Sequence, residues 1–374
     1  MIKRALHIVS FDIPYPPTYG GVIDVFYKIK YLSEAGIKLY CHNFQYEKRK
    51  PQPILEKYCE KVFYYKRKKF INPFLGNLPY IVKTRNDGEL LTNLLQIDAP
   101  ILFEGLHTCF FLNDKSLKDR KKIVRMHNIE HIYYMHLAEA EKDIVKKMYF
   151  LSESQKLKKY FNILMYADKI AAISNNDFTY LSKDYPDKTF YLPAFHPNDK
   201  IKIKEGKGNY ALYTGNLSVV ENIKAVTFLI KEIFNDIDYP LIIAGAFPPK
   251  SIVAMIEKYK NITLVANPSQ QEMDNLLGNA HINVLPTFQP TGIKLKLLNA
   301  LFASRFVIVT PDMVENTGLE TLTIVVQDAH EMKNKIKEYS KLYFDSKIIE
   351  KRRLLLESEF SNKRNVKLLI NELF

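Results

Sequence analysis

Residues 6–44, LHIVSFDIPYPPTYGGVIDVFYKIKYLSEAGIKLYCHNF, set the architecture of the chain. They begin with the apolar run LHIVSF, which is typical of a strand buried on both faces. Three prolines and a glycine pair then exclude helix and strand from residues 12–21. Apolar residues recur at helical spacing from 22 to 35, Gly36 is a suitable helix terminator, and IKLYCHNF has the composition of a second strand. This order predicts a βαβ unit and a parallel sheet.

The same alternation continues and then restarts after a junction. Residues 193–208 are polar and carry prolines and glycines, so they separate two doubly wound domains. The first domain has further predicted strands at 61–65, 100–103, 122–126 and 169–173, with a long helix over 132–167. The second has predicted strands at 210–213, 241–244, 262–265, 282–285, 306–309 and 323–326, with helices starting near 221, 249, 270 and 292.

We therefore predict an α/β chain of two Rossmann-like doubly wound domains that face each other across a cleft. The boundaries are 1–195 for the first domain, 196–345 for the second, and 346–374 for a C-terminal helix that the pattern permits to cross back to the first domain. A length of 374 residues with 47% hydrophobic and 25% charged residues supplies two cores.

The net charge of +13 is unevenly distributed. Residues 1–200 carry 32 Lys and Arg against 22 Asp and Glu. Such an excess fits an anionic partner, namely an acidic membrane surface, a phosphate-bearing lipid or nucleic acid, and it equally fits a solvated lysine-rich surface. The stretch VFYYKRKKFINPFLGNLPY, residues 62–80, has the same two interpretations.

The cysteines and the length of the apolar runs indicate where in the cell the protein is located. Cys41, Cys59 and Cys109 fit neither a disulfide framework nor a zinc site, so we expect a reducing cytoplasm. The apolar run at the N-terminus is too short for a signal peptide, and no stretch reaches the ~18 apolar residues of a membrane span. We predict a cytoplasmic protein, with contact at the inner face of the cell membrane left open.

Ligands of open parallel sheets bind beyond the carboxyl ends of the strands. After the first strand, Gly20 and Gly21 precede a helix, where backbone amides favour anions. The fingerprint G-x-G-x-x-G is missing, which argues against a nicotinamide or flavin enzyme.

Three polar residues follow later strands of the first domain. Glu104 ends an apolar strand and suits hydroxyl binding or base chemistry. His127 follows the run KKIVRM, and Glu130 comes one turn later. The segment HNIEH lacks the histidine spacing of a metallopeptidase helix, so we predict no metal.

Two loops of the second domain suit a diphosphate. Gly215 and Asn216 end a strand before a helix. Thr291 and Gly292 begin another helix, with Lys294 and Lys296 in its first turns. Cations there oppose the helix dipole, and a bound anion would remove the conflict.

The glycine pair, HNIEH, YTGNLSVVEN (213–222) and TGIKLKLLNAL (291–301) together resemble the GT-B glycosyltransferases of family 4, in the branch for bacterial surface polysaccharides. The resemblance covers nearly the whole chain. It implies a retaining, metal-independent transfer from a nucleotide-sugar, without a further cofactor. We expect the acceptor to be a glycan or a lipid-linked glycan.

The resemblance also implies residue roles. His127 points at the transferred sugar, and Gly20 and Gly21 lie by the diphosphate and the acceptor. Lys296, with Lys294, contacts the phosphates, while Gly215 and Asn216 line the donor pocket.

One departure concerns two glutamates that the family commonly carries eight positions apart. Thr291 and Asn299 stand there, and both can still bond hydroxyls. An inactive homologue is therefore an alternative. A nucleotide-sugar 2-epimerase, which shares the tandem architecture, is a second alternative, although the absent glutamate at Thr291 weakens it. A basic nucleic-acid-binding protein is a further one, although no nucleic-acid module is recognisable.

Overall fold

The computed structural model describes residues 4–46, 49–68, 72–288 and 295–374, and the chain divides into two compact units. The first unit runs to Pro197 and includes Asn362–Phe374 at the other end of the chain. The second unit begins at Asn198 and ends at Ser361.

The first unit is built on a seven-stranded parallel sheet of order β3-β2-β1-β4-β5-β6-β7. Its strands are β1 (Ala5–Ser10), β2 (Lys38–Gln45), β3 (Lys61–Lys66), β4 (Ile101–Glu104), β5 (Lys122–Met126), β6 (Lys169–Ala172) and β7 (Thr189–Tyr191). Its helices up to the junction are α1 (Gly20–Glu34), α2 (Tyr80–Lys83), α3 (Gly88–Leu95), α4 (Glu130–Ala140), α5 (Ile144–Tyr160) and α6 (Asn175–Asp184).

Apolar clusters cover both faces of this sheet. On one face Leu6 and Ile8 of β1 pack with Val25 and Ile29 of α1. On the other face Val9 belongs to a separate cluster. Strands β4 and β5 are buried along their whole length, as continuous apolar runs require in a sheet covered on both sides.

The second unit is built on a six-stranded parallel sheet of order β10-β9-β8-β11-β12-β13. Its strands are β8 (Ala211–Thr214), β9 (Leu241–Gly245), β10 (Ile262–Ala266), β11 (Ile282–Leu285), β12 (Phe306–Val309) and β13 (Ile324–Val325). Its helices are α7 (Val220–Phe228), α8 (Lys250–Ile256), α9 (Gln270–Asn279), α10 (Leu295–Ala303), α11 (Pro311–Val314), α12 (Ala329–Tyr339) and α13 (Ser346–Glu359).

Both strand orders reverse direction at the first strand of the unit, between β1 and β4 and between β8 and β11. This is the doubly wound pattern, and it opens a crevice beyond the carboxyl ends of those strands. The predicted α/β class with two Rossmann-like domains is confirmed.

The last helix, α14 (Asn362–Leu373), belongs to the first unit. Its buried residues Val366, Leu369 and Leu373 join the apolar cluster that contains α1. At its start the side chain of Asn362 accepts from the backbone N–H of His196 at 3.1 Å and donates to the carbonyl of the same residue at 2.8 Å.

Two predicted helices are interrupted. The helix predicted over 132–167 ends at Ala140 and restarts at Ile144, because the carboxylate of Asp143 accepts from the N–H of Lys146 at 2.9 Å and caps a new helix. The C-terminal helix predicted from 346 ends at Glu359, and α14 starts after Ser361. Among the described residues no helix has the length and apolar character that crossing a bilayer requires.

Candidate functional site

A buried ionic cluster lies at the carboxyl ends of β4 and β5 in the first unit. It consists of Asp24 and Lys28 from α1, Glu104 from β4, Arg125 from β5 and His127 just after β5. The Lys28 ammonium donates to Asp24 at 2.9 Å and to Glu104 at 2.7 Å. The Arg125 guanidinium donates to Asp24 at 3.1 Å, and Nε2 of His127 lies 2.9 Å from Glu104.

The cluster keeps its two carboxylates charged. Burial raises the pKa of Asp24, but the Arg125 and Lys28 charges outweigh this and hold the pKa well below its usual range. Burial also raises the pKa of Glu104, while Lys28 and the hydrogen bond from His127 bring it below its ordinary value. The balance of charges allows these side chains to be buried together.

His127 is held by this cluster and is 5% exposed. Its Nε2 lies against Glu104, and its Nδ1 lies 3.9 Å from Asp24. The Phe11 ring packs against the imidazole with 5.2 Å between ring centres. Both ring nitrogens therefore face the buried carboxylates, and Glu104 lies behind His127 with no exposed surface.

Asp24, Glu104 and His127 bring their ligand atoms within 4.8 Å of one another, close enough to hold a metal ion. However, Lys28 already bonds both carboxylates and Arg125 bonds Asp24, so cations of the chain itself occupy positions beside the oxygens. Asp24, Glu104 and His127 thus belong to an internal ion-pair cluster.

Glu130 and His107 lie next to the cluster. Glu130 was predicted from the sequence, whereas His107 was not. Glu130 begins α4 and is 2% exposed, and its Oε1 lies 3.9 Å from Nδ1 of His107. Burial raises the pKa of Glu130 to about 8, against a hydrogen bond from Asn128 that lowers it. His107 stands three residues after Glu104, in ILFEGLH. Its position shortly after strand β4 is the sequence feature that could have identified it as a site residue.

Gly105 permits the turn that brings these groups together. Its φ is +74°, and a Cβ there would lie 3.0 Å from Nδ1 of His107. Phe11 contacts the ring of His107 at 5.5 Å between centres as well as that of His127. The structure thus brings Glu104 to His127 and Glu130 to His107, and the Phe11 ring contacts both imidazoles.

The glycine pair begins α1. A Cβ on Gly21 would lie 2.7 Å from the Phe11 ring, so this glycine allows the helix to approach that ring. Packing accounts for Gly21 without a ligand. The role of Gly20 and Gly21 beside a diphosphate stays a prediction.

In the second unit, the side chain of Asn222 joins the predicted donor residues. Its Oδ1 accepts from Lys296 Nζ at 3.0 Å and from the Tyr213 hydroxyl at 3.1 Å. Its Nδ2 donates to the carbonyl of Asn216 at 2.9 Å. A Cβ on Gly215 would lie 3.2 Å from Cγ of Asn222, so this glycine leaves room for the amide.

Lys296 also lies over the ring of Tyr213, with 5.4 Å from Nζ to the ring centre. Asn299 follows one turn later on α10, and its Oδ1 accepts from the side chain of Asn198 at 2.8 Å. Asn216 and Lys296 therefore share one hydrogen-bonded cluster with Asn222, and Gly215 lies against it. The other predicted donor residues, Thr291, Gly292 and Lys294, lie outside the described residues.

Residues 208–341 match a family model described as glycosyl transferases group 1. The chain is also similar to an uncharacterized 44.6 kDa protein in the cps region of Klebsiella pneumoniae, with 27% identity over 334 residues. That alignment covers 83% of this chain and 84% of the relative.

Solved structures share the fold over nearly the whole chain. Sucrose-phosphate synthase from Thermosynechococcus elongatus has a TM-score of 0.69 at 14% identity, covering 98% of each chain. Anabaena Alr3699/HepE in complex with UDP and glucose has a TM-score of 0.67 at 9% identity, covering 98% of this chain and 99% of that one. The architecture is GT-B. The match of residues 208–341 to the model of group 1 glycosyl transferases supports a transferase enzyme.

Proposed function

We propose that the protein is a retaining glycosyltransferase that moves a sugar from a nucleotide-sugar to a glycan or lipid-linked glycan acceptor. The group 1 domain match supports sugar transfer. The similar Anabaena protein binds UDP and glucose, which favours a nucleotide-sugar donor. The relative from a cps region favours an acceptor in surface-polysaccharide synthesis.

The observation that carries the proposal is the Asn222 cluster. Asn222 connects the loop after β8 with Lys296 on α10, and the side chain of Lys296 is half-buried. A diphosphate at the carboxyl edge of this sheet would meet the ammonium group of Lys296 and the backbone near Gly215. The ammonium offsets the negative charge that develops on the departing nucleotide, so this proposal requires no metal.

In the first unit we assign positioning roles to the ionic cluster. Lys28 and Arg125 hold the two carboxylates, and Glu104 in turn fixes the ring of His127 beside Phe11. His127 is thereby held in one orientation, and the contact of its ring with the transferred sugar stays a prediction.

The acceptor contact falls to His107 and Glu130. The side chain of His107 is 21% exposed, whereas that of Glu130 is 2% exposed. With a pKa of about 8, the Glu130 carboxyl is protonated at neutral pH and can donate a hydrogen bond. Its neighbour His107 is held neutral, because burial lowers the pKa of the imidazole. A neutral pair suits an uncharged sugar hydroxyl.

The proposed nucleotide-sugar donor favours a cytoplasmic location. A lipid-linked acceptor would add a peripheral position at the inner face of the cell membrane. The nucleotide-sugar is a co-substrate, and the proposal includes no further cofactor.

The substitution Lys296→Ala tests the donor site. We expect transfer to fall at least ~10²-fold, the scale seen when one preorganised donor to a developing charge is lost. The matched control is Lys347→Ala, which removes an exposed lysine from α13. Transfer is measured with UDP-, GDP-, ADP- and TDP-sugars after a thermal-shift screen has identified the base that binds.

Normal turnover in Lys296→Ala would remove the leaving-group role from this residue. Binding of a nucleotide-sugar without transfer to any acceptor would favour the inactive homologue. Uptake of deuterium from heavy water into the sugar, with no acceptor present, would favour the 2-epimerase.

A further inference from the structure

The loop after β1, residues 11–19, is held in place by two arginine side chains that have no role in the site described above. Pro14, Pro16 and Pro17 of this loop have no backbone N–H, so the donors for its carbonyl groups have to come from elsewhere in the chain. A guanidinium carries five N–H donors in a rigid fork, and one arginine can therefore bind several carbonyl oxygens at once.

The buried Arg85, two residues after α2, holds the start of the loop. Its Nε and Nη2 donate to the carbonyl of Phe11 at 3.1 and 2.9 Å, and its Nη1 donates to the carbonyl of Ile81 at 2.7 Å. The ring of Phe11 contacts the imidazoles of His107 and His127. The loop therefore begins directly beside the candidate site of the first unit.

Arg49, which follows β2, holds the rest of the loop. Its Nη1 donates to the carbonyls of Ile13 at 2.8 Å and Pro16 at 2.9 Å. Its Nη2 donates to the hydroxyl of Thr18 at 2.5 Å, and its Nε lies 3.3 Å from the carboxylate of Asp12. One side chain thus binds four residues of the loop.

These contacts also fix the ring of Tyr19, the last residue before α1. The Tyr19 hydroxyl donates to the Asp12 carboxylate at 2.7 Å, and the Arg49 guanidinium lies over the ring at 5.3 Å from its centre. Tyr19 is nevertheless 40% exposed. Since the loop lies beyond the carboxyl end of β1, a ring of fixed orientation is exposed where ligands of doubly wound sheets bind.

We propose that Arg49 is a positioning residue, which fixes the loop after β1 so that the Tyr19 ring provides a packing surface for the acceptor sugar. The inference rests on the proposed function, because it requires a sugar acceptor. The C–H groups on the face of a pyranose ring pack against the face of an aromatic ring, which supplies a large apolar area. A ring that is already fixed loses little conformational freedom when the acceptor binds.

The test variant is Arg49→Lys, which keeps the positive charge and removes the fork of donors. A single ammonium cannot bind Ile13, Pro16 and Thr18 in the way the guanidinium does, so the loop is released while the charge stays. A second variant, Tyr19→Ala, removes the ring itself from an exposed position and leaves Arg49 in place.

The matched control is Arg120→Lys, at the opposite edge of the same sheet. Nη1 of Arg120 donates to the carbonyls of Ile97 at 2.6 Å and Ala99 at 3.1 Å, and it lies 3.1 Å from the carboxylate of Asp98. The side chains of Arg49 and Arg120 are 17% and 12% exposed. Arg120 thus makes the same kind of contacts before β4 and β5, at the amino ends of the strands.

We expect kcat/KM for the acceptor to fall at least about tenfold in Arg49→Lys and in Tyr19→Ala. The KM for the nucleotide-sugar should change by less than about twofold, because the proposed donor site lies in the second unit. Arg120→Lys should keep the acceptor kcat/KM of the wild type, even where its melting temperature falls as far as that of Arg49→Lys. Equal acceptor kcat/KM in Arg49→Lys and Arg120→Lys would overturn the proposal, and so would a normal value in Tyr19→Ala.

Hydrogen exchange without substrate separates this inference from the proposed function. The amides of residues 13–19 should exchange faster in Arg49→Lys than in the wild type, and they should be unchanged in Arg120→Lys. Unchanged exchange of these amides in Arg49→Lys would overturn the positioning role, whatever the transfer activity. A wild type that transfers sugar to no acceptor would instead overturn the proposed function.

Discussion

At the scale of single residues, Gly245 shows how closely the two loops at the carboxyl edge of the second sheet approach each other. A Cβ at this position would lie 1.9 Å from the carbonyl oxygen of Gly215. Since backbone occupies that space, Gly245→Ala has to displace the loop that carries Gly215 and Asn216. We expect the variant to lose at least about 2 kcal/mol of stability. The measurement is thermal unfolding followed by circular dichroism, because the chain has no tryptophan.

The matched control for this variant is Gly88→Ala, in the first turn of α3, where an added Cβ meets nothing within 4 Å. It should leave stability unchanged or raise it slightly, because alanine favours helix. Equal melting temperatures for the two variants would show that the loop after β8 moves without cost.

Single residues also show the limit of reasoning from sequence. Lys296, Gly215 and Asn216 could be proposed because each stands directly after a strand or in the first turns of a helix. Asn222 and His107 could not, since their importance depends on which side chains meet them in space. Likewise the helix pattern of α1 does not reveal that Asp24 and Lys28 pair with Arg125 and Glu104.

At the scale of elements, a chain of buried hydrogen bonds crosses β1, β2 and β3. Nε2 of His7 lies 3.0 Å from the carbonyl of Ile97, so it carries the proton. Because burial disfavours the charged imidazole and lowers the pKa of His7, Nδ1 of His7 accepts from Nε2 of His42 at 2.9 Å. Nδ1 of His42 in turn accepts from the Tyr65 hydroxyl at 2.9 Å. This direction of donors and acceptors requires both imidazoles to be neutral.

Burial lowers the pKa of His7 from 6.5, and it lowers the pKa of His42 well below 6.5. Below pH 6.5 the unfolded chain therefore binds protons that the folded chain does not, so the free energy of unfolding falls as pH falls. We expect the melting temperature to fall between pH 7.5 and pH 5.5.

The replacement His42→Gln should make the melting temperature less dependent on pH, whatever it does to stability at pH 7.5. Replacing the exposed His330 of α12 by Gln should leave the slope unchanged. A slope that is the same in both variants would show that other groups account for the acid sensitivity.

Helices and strands could be predicted where the pattern of residues within the element itself defines it. The strands at 122–126, 282–285 and 306–309 agree residue by residue with β5, β11 and β12, because buried parallel strands are continuous apolar runs. The three-residue strand β7 was missed because so short a segment carries no period. The break between α4 and α5 depends on one cap, Asp143, which a periodic pattern does not show.

At the scale of the whole molecule, the first unit is discontinuous in sequence, since α14 packs on α1. Leu369 of α14 is fully buried in the cluster with Val25 and Ile29. We therefore expect Leu369→Ala to destabilise the first unit by about 2–5 kcal/mol. Leu354→Ala, on the exposed side of α13 in the second unit, should change stability by less than about 0.5 kcal/mol.

Hydrogen exchange distinguishes a local effect from a global one. In Leu369→Ala the amides of α1 should exchange faster, while those of α7 in the second unit should keep the protection of the wild type. The contacts with α1 supply the reason, because loss of the leucine side chain leaves a cavity on the face of the helix that covers β1. If the amides of α7 exchanged faster to the same degree, the two units would unfold as one cooperative body. The packing of α14 would then contribute to the stability of both units and not of the first unit alone.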